Sequence, residues 1–299
     1  MPVREFRVLK TLGGCGGTII SRALAANGAV VMSEVNPRSA QLFGCGLNPL
    51  VQLQANYPDL LPPSWRGVDP HVMGKPELFG MLMADVHDNS RRPLVIRDYS
   101  YVDYIGTPFV WPAPERSSLE PALLPYGLIR TVILVRRPSA CLRSLLRHGS
   151  LASTLSIAEY IDGHIAFMER NVGVPIMRFE EFLADRVGWM QSLSGCFSIP
   201  YDPTWEERLA DAPGLTGNAR AISSSQVSTV DDPIVDADYI PDELRAEHAR
   251  LLRLCGYDPE TLSNPAHVTG EVASPARSGR ARLRRSASSL RSKVAKPPA

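Results

Sequence analysis

Apolar residues along the chain gather in five short runs, near 6–12, 29–32, 93–97, 130–135 and 174–178. Between them the periodicity turns helical, near 17–27, 77–90, 138–148, 156–170 and 180–195, with a last helix near 241–255 that ends at Gly256, a C′ residue. Val132–Val135 is a continuous apolar stretch, the pattern of a strand covered on both faces. Strands alternating with helices predict an α/β fold in which a parallel sheet is flanked by helices on both faces. Two segments, 36–76 and 98–128, are rich in turn residues and show little periodicity, and they read as long loops over the carboxyl edge of that sheet. Their aromatic residues Tyr57, Trp65, Tyr101, Tyr104, Phe109 and Trp111 are candidates for lining a pocket, packing of the loop being the plainer role for each.

Two places in this pattern carry chemistry. After the first strand comes Gly13-Gly14-Cys15-Gly16-Gly17-Thr18, running into a helix. Glycines let the backbone turn tightly and gather its N–H groups, and the helix N-terminus adds its dipole to the same point. Thr18, in the first turn, offers a hydroxyl to a phosphate or sulfate oxygen. A lysine before that threonine would mark an ATPase loop, and none is present. More than a hundred residues later, Arg136-Arg137-Pro138 follows the fourth strand, with Ser144 about two turns along the next helix. An arginine at the carboxyl end of such a strand, with a hydroxyl nearby, suits a phosphate. Together the two places describe a nucleotide site with two anion pockets.

The residues around this site resemble the sulfotransferases that use 3′-phosphoadenosine 5′-phosphosulfate (PAPS). Arg136 and Ser144 have that family's spacing, and Arg136-Arg137-Pro138 resembles its Arg-x-Pro turn. Ser33-Glu34-Val35-Asn36-Pro37, Met177-Arg178-Phe179-Glu180-Glu181-Phe182-Leu183 and Gly217-Asn218-Ala219-Arg220 resemble further family segments in the right order. The resemblance covers roughly residues 6–258 and implies a P-loop-type sheet. It implies that Gly14, Cys15, Gly16, Gly17, Thr18 and Ile19 hold the 5′-phosphosulfate, that Arg136 and Ser144 hold the 3′-phosphate, and that Arg220 completes the nucleotide site. It also implies transfer of a sulfuryl group to a hydroxyl or amine of a small-molecule, carbohydrate or lipid acceptor. Two departures stand out: Cys15 where many members carry a cation, and Tyr99 near the place of a histidine base. Arg97 is the candidate for the missing charge, pairing with Asp98 or Glu34 being its alternative role. Glu34 is the candidate base, with Asp98 and Tyr99 as rivals; a tyrosine of ordinary pKa, about 10, is a poor base at neutral pH. The departures keep a non-catalytic nucleotide-binding protein in view, and a P-loop kinase or NTPase is the more remote reading.

Composition and charge add boundaries. The 299 residues are 44% hydrophobic and 21% charged, ordinary for a soluble globular chain. No stretch reads as a membrane span or a signal peptide, and the five cysteines are scattered without a Cys-x-x-Cys pair, which points to reduced thiols in the cytoplasm. The histidines show no metal-ligand spacing, so no metal site is expected. The net charge of +1 hides an asymmetry, because residues 272–299 contain eight basic side chains and no acidic one. The expected organisation is a domain over 1–270 and a basic, disordered tail over 271–299. Weak contact of that tail with an anionic membrane is its sharper reading, with no specific nucleic-acid partner; the oligomeric state has no signal in the sequence.

Overall fold

Each of the five apolar runs forms a strand, and the strands lie parallel in the order β2-β3-β1-β4-β5. The structure is a computed structural model that describes residues 3–43, 46–146, 154–213 and 240–260, all within one unit, Met1–Pro265. In chain order the first elements are β1 (Glu5–Thr11), α1 (Gly17–Ala26), β2 (Val30–Met32), α2 (Pro37–Phe43), α3 (Pro49–Asn56) and α4 (Pro76–Asn89). Then come β3 (Leu94–Tyr99), α5 (Tyr101–Tyr104), α6 (Leu119–Leu123), β4 (Leu128–Val135) and α7 (Pro138–Leu146). The last are α8 (Ile157–Arg170), β5 (Ile176–Arg178), α9 (Phe179–Ala184), α10 (Arg186–Phe197) and α11 (Arg245–Leu254). The chain leaves β1 towards β2 on one side, while β4 leads to β5 on the other. The carboxyl ends of β1 and β4 therefore flank the crevice in which such sheets bind ligands.

Side-chain alternation splits the sheet into two cores. Leu9, Val31 and Val95 face the core that holds Ile19, Ile20, Ala23 and Leu24 of α1 with residues of α7 to α10. Phe6, Val8, Val30, Met32, Leu94 and Ile96 face the second core, against Leu50 and Leu53 of α3 and Phe79, Leu82 and Met83 of α4. The register pairs Leu9 with Arg97 and Lys10 with Asp98, so Arg97 lies on the α1 face and Asp98 on the α4 face. Lys10 is buried, and its ammonium is held by Glu120 Oε1 and Asn171 Oδ1, each at 2.6 Å. The backbone at the open side of β2 is served by side chains: Val31 N donates to Tyr57 Oη (3.2 Å), and the Gln52 amide pairs with both Ser33 N (2.8 Å) and Ser33 O (2.7 Å). These contacts finish an edge strand that would otherwise present unpaired groups.

The segments expected as long loops contain more structure than their composition indicates. Residues 36–76 hold α2, α3 and three 3₁₀ turns, and residues 98–128 hold the end of β3, α5 and α6. Prolines explain much of it, because Pro37, Pro49 and Pro76 each stand at a helix start, where a missing N–H costs nothing. Asn48 caps α3, accepting from Leu50 N at 3.0 Å. The expected helix 180–195 is two helices, because Asp185 accepts from Gly188 N (2.9 Å) and starts α10. Tyr57, Trp65, Tyr101 and Tyr104 are buried packing residues, whereas Trp111 is 75% exposed. The tail over 271–299 lies outside the described residues, and among those described no helix is long and apolar enough to cross a membrane.

His164 on α8 is buried, with Nδ1 3.0 Å from Tyr160 Oη, which itself donates to Pro138 O. Burial, reinforced by nearby His248, lowers its pKa to about 3. In the unfolded chain an imidazole takes its proton near pH 6.5. The unfolded state therefore binds more protons between these values, and stability falls as pH drops below about 6.5. Chemical denaturation at pH 7 and pH 5 should show H164Q losing less stability than wild type on acidification, by about 2 kcal/mol. An equal loss in both proteins would show that His164 is not held neutral.

Candidate functional site

The glycine loop leaves β1 and meets a different neighbour at nearly every residue. Gly14 (φ 83°) and Gly16 (φ 84°) adopt the left-handed conformation that glycine alone takes without strain. A Cβ on Gly14 would stand 2.7 Å from Cys141 O, and one on Gly16 would strike the Phe179 ring. The ring lies beneath the loop and also carries Arg136, whose Cζ is 5.5 Å from its centroid. Arg136 Nη1 reaches the Gly14 carbonyl at 3.5 Å, so the arginine after β4 and the loop after β1 share one wall of the crevice. Among the described residues neither Cys15 N–H nor Gly16 N–H donates to another backbone group. With the orphan N–H groups of the first turn of α1, these make an electropositive cradle.

Arg97 forms the opposite wall. Its side chain runs beneath Gly17, where a Cβ would stand 2.5 Å from Nε. The arginine is 5% exposed and its guanidinium bonds to three side chains at once: Thr18 Oγ1 (3.2 Å) on α1, and Ser33 Oγ (3.3 Å) and Glu34 Oε1 (2.8 Å) after β2. Its Nε is buried without a hydrogen-bond partner among the described residues. Glu34 itself has φ 57°, a conformation costing roughly 1–2 kcal/mol for a residue with a Cβ. Val35 N, bonded to Arg97 O at 3.0 Å, and Ser39 Oγ, bonded to Glu34 O at 3.2 Å, hold it there. A carboxylate on strained backbone and a hydroxyl at a helix start thus meet on one buried cation.

By sequence the chain matches no family model and no curated protein. Its architecture does match solved structures. The sulfotransferase domain of the Synechococcus PCC 7002 olefin synthase aligns over 86% of this chain and 96% of its own, with a TM-score of 0.51 at 16% identity. The sulfotransferase domain from the curacin biosynthetic pathway aligns over 86% and 99%, with a TM-score of 0.55 at 14% identity. The chain has the sulfotransferase fold.

Within this sulfotransferase fold, the residues singled out in the sequence fall into three groups. Gly14, Gly16, Gly17, Thr18, Arg97, Glu34 and Arg136 are brought together as described. Cys15 on the loop and Ile19 in the first turn of α1 are turned to the core: Ile19 is buried and its N is taken by Gly16 O (3.1 Å), and the Cys15 thiol is buried 3.3 Å from the Cys141 thiol. Burial holds the Cys141 thiol well above its usual pKa. Ser144 is half-buried on α7, two turns beyond Arg136. Asp98 lies on the far face of β3, buried, with its oxygens taken by Asn36 Nδ2 (2.9 Å) and Ser100 Oγ (2.7 Å). Burial and the neighbouring Asp103 push its pKa up to about 7. Arg97 pairs with Glu34 and not with Asp98. Burial, with the charge of Glu34, raises the Tyr99 hydroxyl above its ordinary value. Arg220 lies outside the described residues.

Sequence reasoning missed the struts. Glu180 accepts from Arg137 N (2.9 Å) and from Tyr257 Oη (2.6 Å), fixing the turn after β4 to the chain beyond α11. Phe179, beside it, supports both Gly16 and Arg136. The segment 177–183 resembles a family motif in the sequence, and the packed fold shows that two of its side chains hold the loop and the turn after β4. A G16A variant combines left-handed strain with a clash on Phe179, and urea denaturation should find it destabilised by about 2–4 kcal/mol. G195A, where a Cβ meets nothing within 4 Å on the exposed side of α10, should be neutral or up to about 1 kcal/mol more stable.

Proposed function

We propose that this protein is a sulfotransferase that moves the sulfuryl group of PAPS to a hydroxyl or amine of a small-molecule, carbohydrate or lipid acceptor. The observation that carries the reading is the guanidinium of Arg97, which joins Thr18 at the helix start to Glu34 at the end of β2. The loop N–H groups and Thr18 hold the 5′-phosphosulfate, and Arg136 with Ser144 holds the 3′-phosphate. The acceptor oxygen or nitrogen attacks sulfur, the bond from sulfur to the 5′-phosphate oxygen breaks, and adenosine 3′,5′-bisphosphate leaves. Glu34 takes the acceptor's proton. Positive charge around the equatorial oxygens stabilises such a transition state, and Arg97 supplies it in place of the loop cation. Once Glu34 is protonated, its hold on Arg97 Nη2 weakens, and the guanidinium is left to the charge growing on the leaving phosphate. Asp98 acts at one remove, through Asn36, which also donates to Tyr99 O (3.1 Å) and ties the turn carrying Glu34 to β3.

Calorimetry with adenosine 3′,5′-bisphosphate, against AMP and ATP, tests the nucleotide site. The bisphosphate should bind in preference to both, and R136A should weaken it by roughly 10–100-fold, the loss of charge-assisted bonds to one phosphate. Equal affinity for AMP, or no binding, would end the PAPS reading. E34Q should bind nucleotide normally while release of the bisphosphate from PAPS, with a panel of hydroxyl and amine acceptors, slows about 10²–10⁴-fold. An unchanged rate in E34Q would remove Glu34 as the base, and wild type that binds but never turns over would favour the non-catalytic alternative.

A further inference from the structure

A second concave site lies on the same carboxyl edge of the sheet, towards β2 and β3 and away from the crevice between β1 and β4. It is a cavity of about 350 Å³ lined by Arg38, Pro76, Arg116, Ser117, Ser118 and Pro121. Three elements build it. Arg38 stands in the first turn of α2, four residues beyond Glu34; Pro76 opens α4; and residues 116–121 lead into α6. Asp103, fully buried on α5, ties the walls together: its Oδ1 accepts from Arg38 Nε (3.0 Å), and its Oδ2 accepts from Ser118 N (2.7 Å) and Ser118 Oγ (2.9 Å). Arg38 is thereby fixed through one edge of its guanidinium and remains 31% exposed.

Arg116 differs. Among the described residues it makes no ion pair, and it is exposed at the cavity rim. The residue before it, Glu115, has φ 51°, so the chain takes a strained turn immediately before placing this arginine. The exposed guanidinium of Arg116, the edge of Arg38 not taken by Asp103, the Ser117 hydroxyl, which accepts from Glu120 N and keeps its own proton to donate, and the apolar rings of two prolines make a donor set for an oxyanion carried on an apolar stem. The nucleotide does not account for it, because none of the residues that the PAPS reading assigns to the nucleotide lines this cavity.

We propose that this cavity binds the anionic end of the acceptor, an organic carboxylate or phosphate whose hydroxyl or amine reaches Glu34 from the opposite side to PAPS. The assignment rests on the sulfuryl-transfer reading for its purpose but not for its binding chemistry. Arg116 is the specificity determinant: it selects charged acceptors over neutral ones. Asp103 is a positioning residue that holds Arg38 and Ser118 at their spacing.

The test uses the full chain saturated with adenosine 3′,5′-bisphosphate, so that the cradle is filled. Phenylacetate, phenyl phosphate and the neutral methyl phenylacetate serve as probes, titrated by calorimetry or ligand-observed NMR. Wild type should bind at least one of the two anions at least tenfold more tightly than the ester. R116A should lose that preference, and R116K should restore part of it. A tighter carboxylate or a tighter phosphate decides which oxyanion the site takes. Equal affinity for anions and ester, an unchanged preference in R116A, or no binding of either anion would overturn the proposal. If the bisphosphate itself does not bind, the PAPS reading fails separately, and the same comparison of wild type with R116A, made without nucleotide, still decides the cavity. Circular dichroism of R116A guards against a folding defect, which is not expected of an exposed residue.

Discussion

A cation buried inside a protein must find partners that replace its water, and the guanidinium of Arg97 imposes that condition on this fold. Its partners come from two segments far from β3 in the chain: Thr18 on α1, and Ser33 with Glu34 after β2. Gly17 is glycine because the arginine passes beneath it. Glu34 holds an unfavourable φ because its carboxylate meets the charge while Val35 N pairs with the carbonyl of the same arginine. Removing either partner would leave a buried charge uncompensated, so the helix start and the ends of β2 and β3 behave as one unit. On the proposed chemistry the same arrangement serves sulfuryl transfer, with a fixed positive charge beside a carboxylate and an anion cradle.

A second support comes from the other direction. Phe179 packs under Gly16 and under Arg136, and Glu180 ties the turn after β4 to Tyr257. The chain just beyond α11 is thereby joined to the turn after β4. Arg136 is steadied by the aromatic face of Phe179 and by the Gly14 carbonyl.

The strands were legible because each is a short apolar run bounded by turn residues, and the glycine loop because four glycines in five positions have few other uses. The short helices of 36–76 were not, since proline and asparagine mark both a loop and a helix start, and only the following turn decides between them. For Trp65 and Tyr57 packing is the plainer role in the sequence, and the fold gives them that role, with their polar atoms spent on Asp85 and on the β2 backbone. Whether Arg97 pairs with Asp98 or with Glu34 stays open in the sequence, because adjacent residues of a strand point to opposite faces and the register that chooses the face is a long-range property. Once Leu9 pairs with Arg97, the arginine must face α1 and Asp98 must face α4. The struts were invisible for the same reason: nothing local says that Phe179 will meet Gly16.

Cys15 brings these threads together. Its thiol points inward to Cys141, so a lysine at that position would drive its ammonium into the apolar core beneath α7. A sulfuryl donor in the cradle would still need a cation near its equatorial oxygens, and that cation has to come from the opposite wall. Arg97 already stands there, desolvated and oriented when the protein folds and not when the ligand arrives. A charge fixed in advance needs no reorganisation at the moment of transfer, which is the condition under which electrostatic stabilisation is strongest. On the proposed chemistry, then, the missing loop cation is no sign of a silent site. The charge has moved from the loop to β3, and Gly17 and the strained backbone of Glu34 follow from that move.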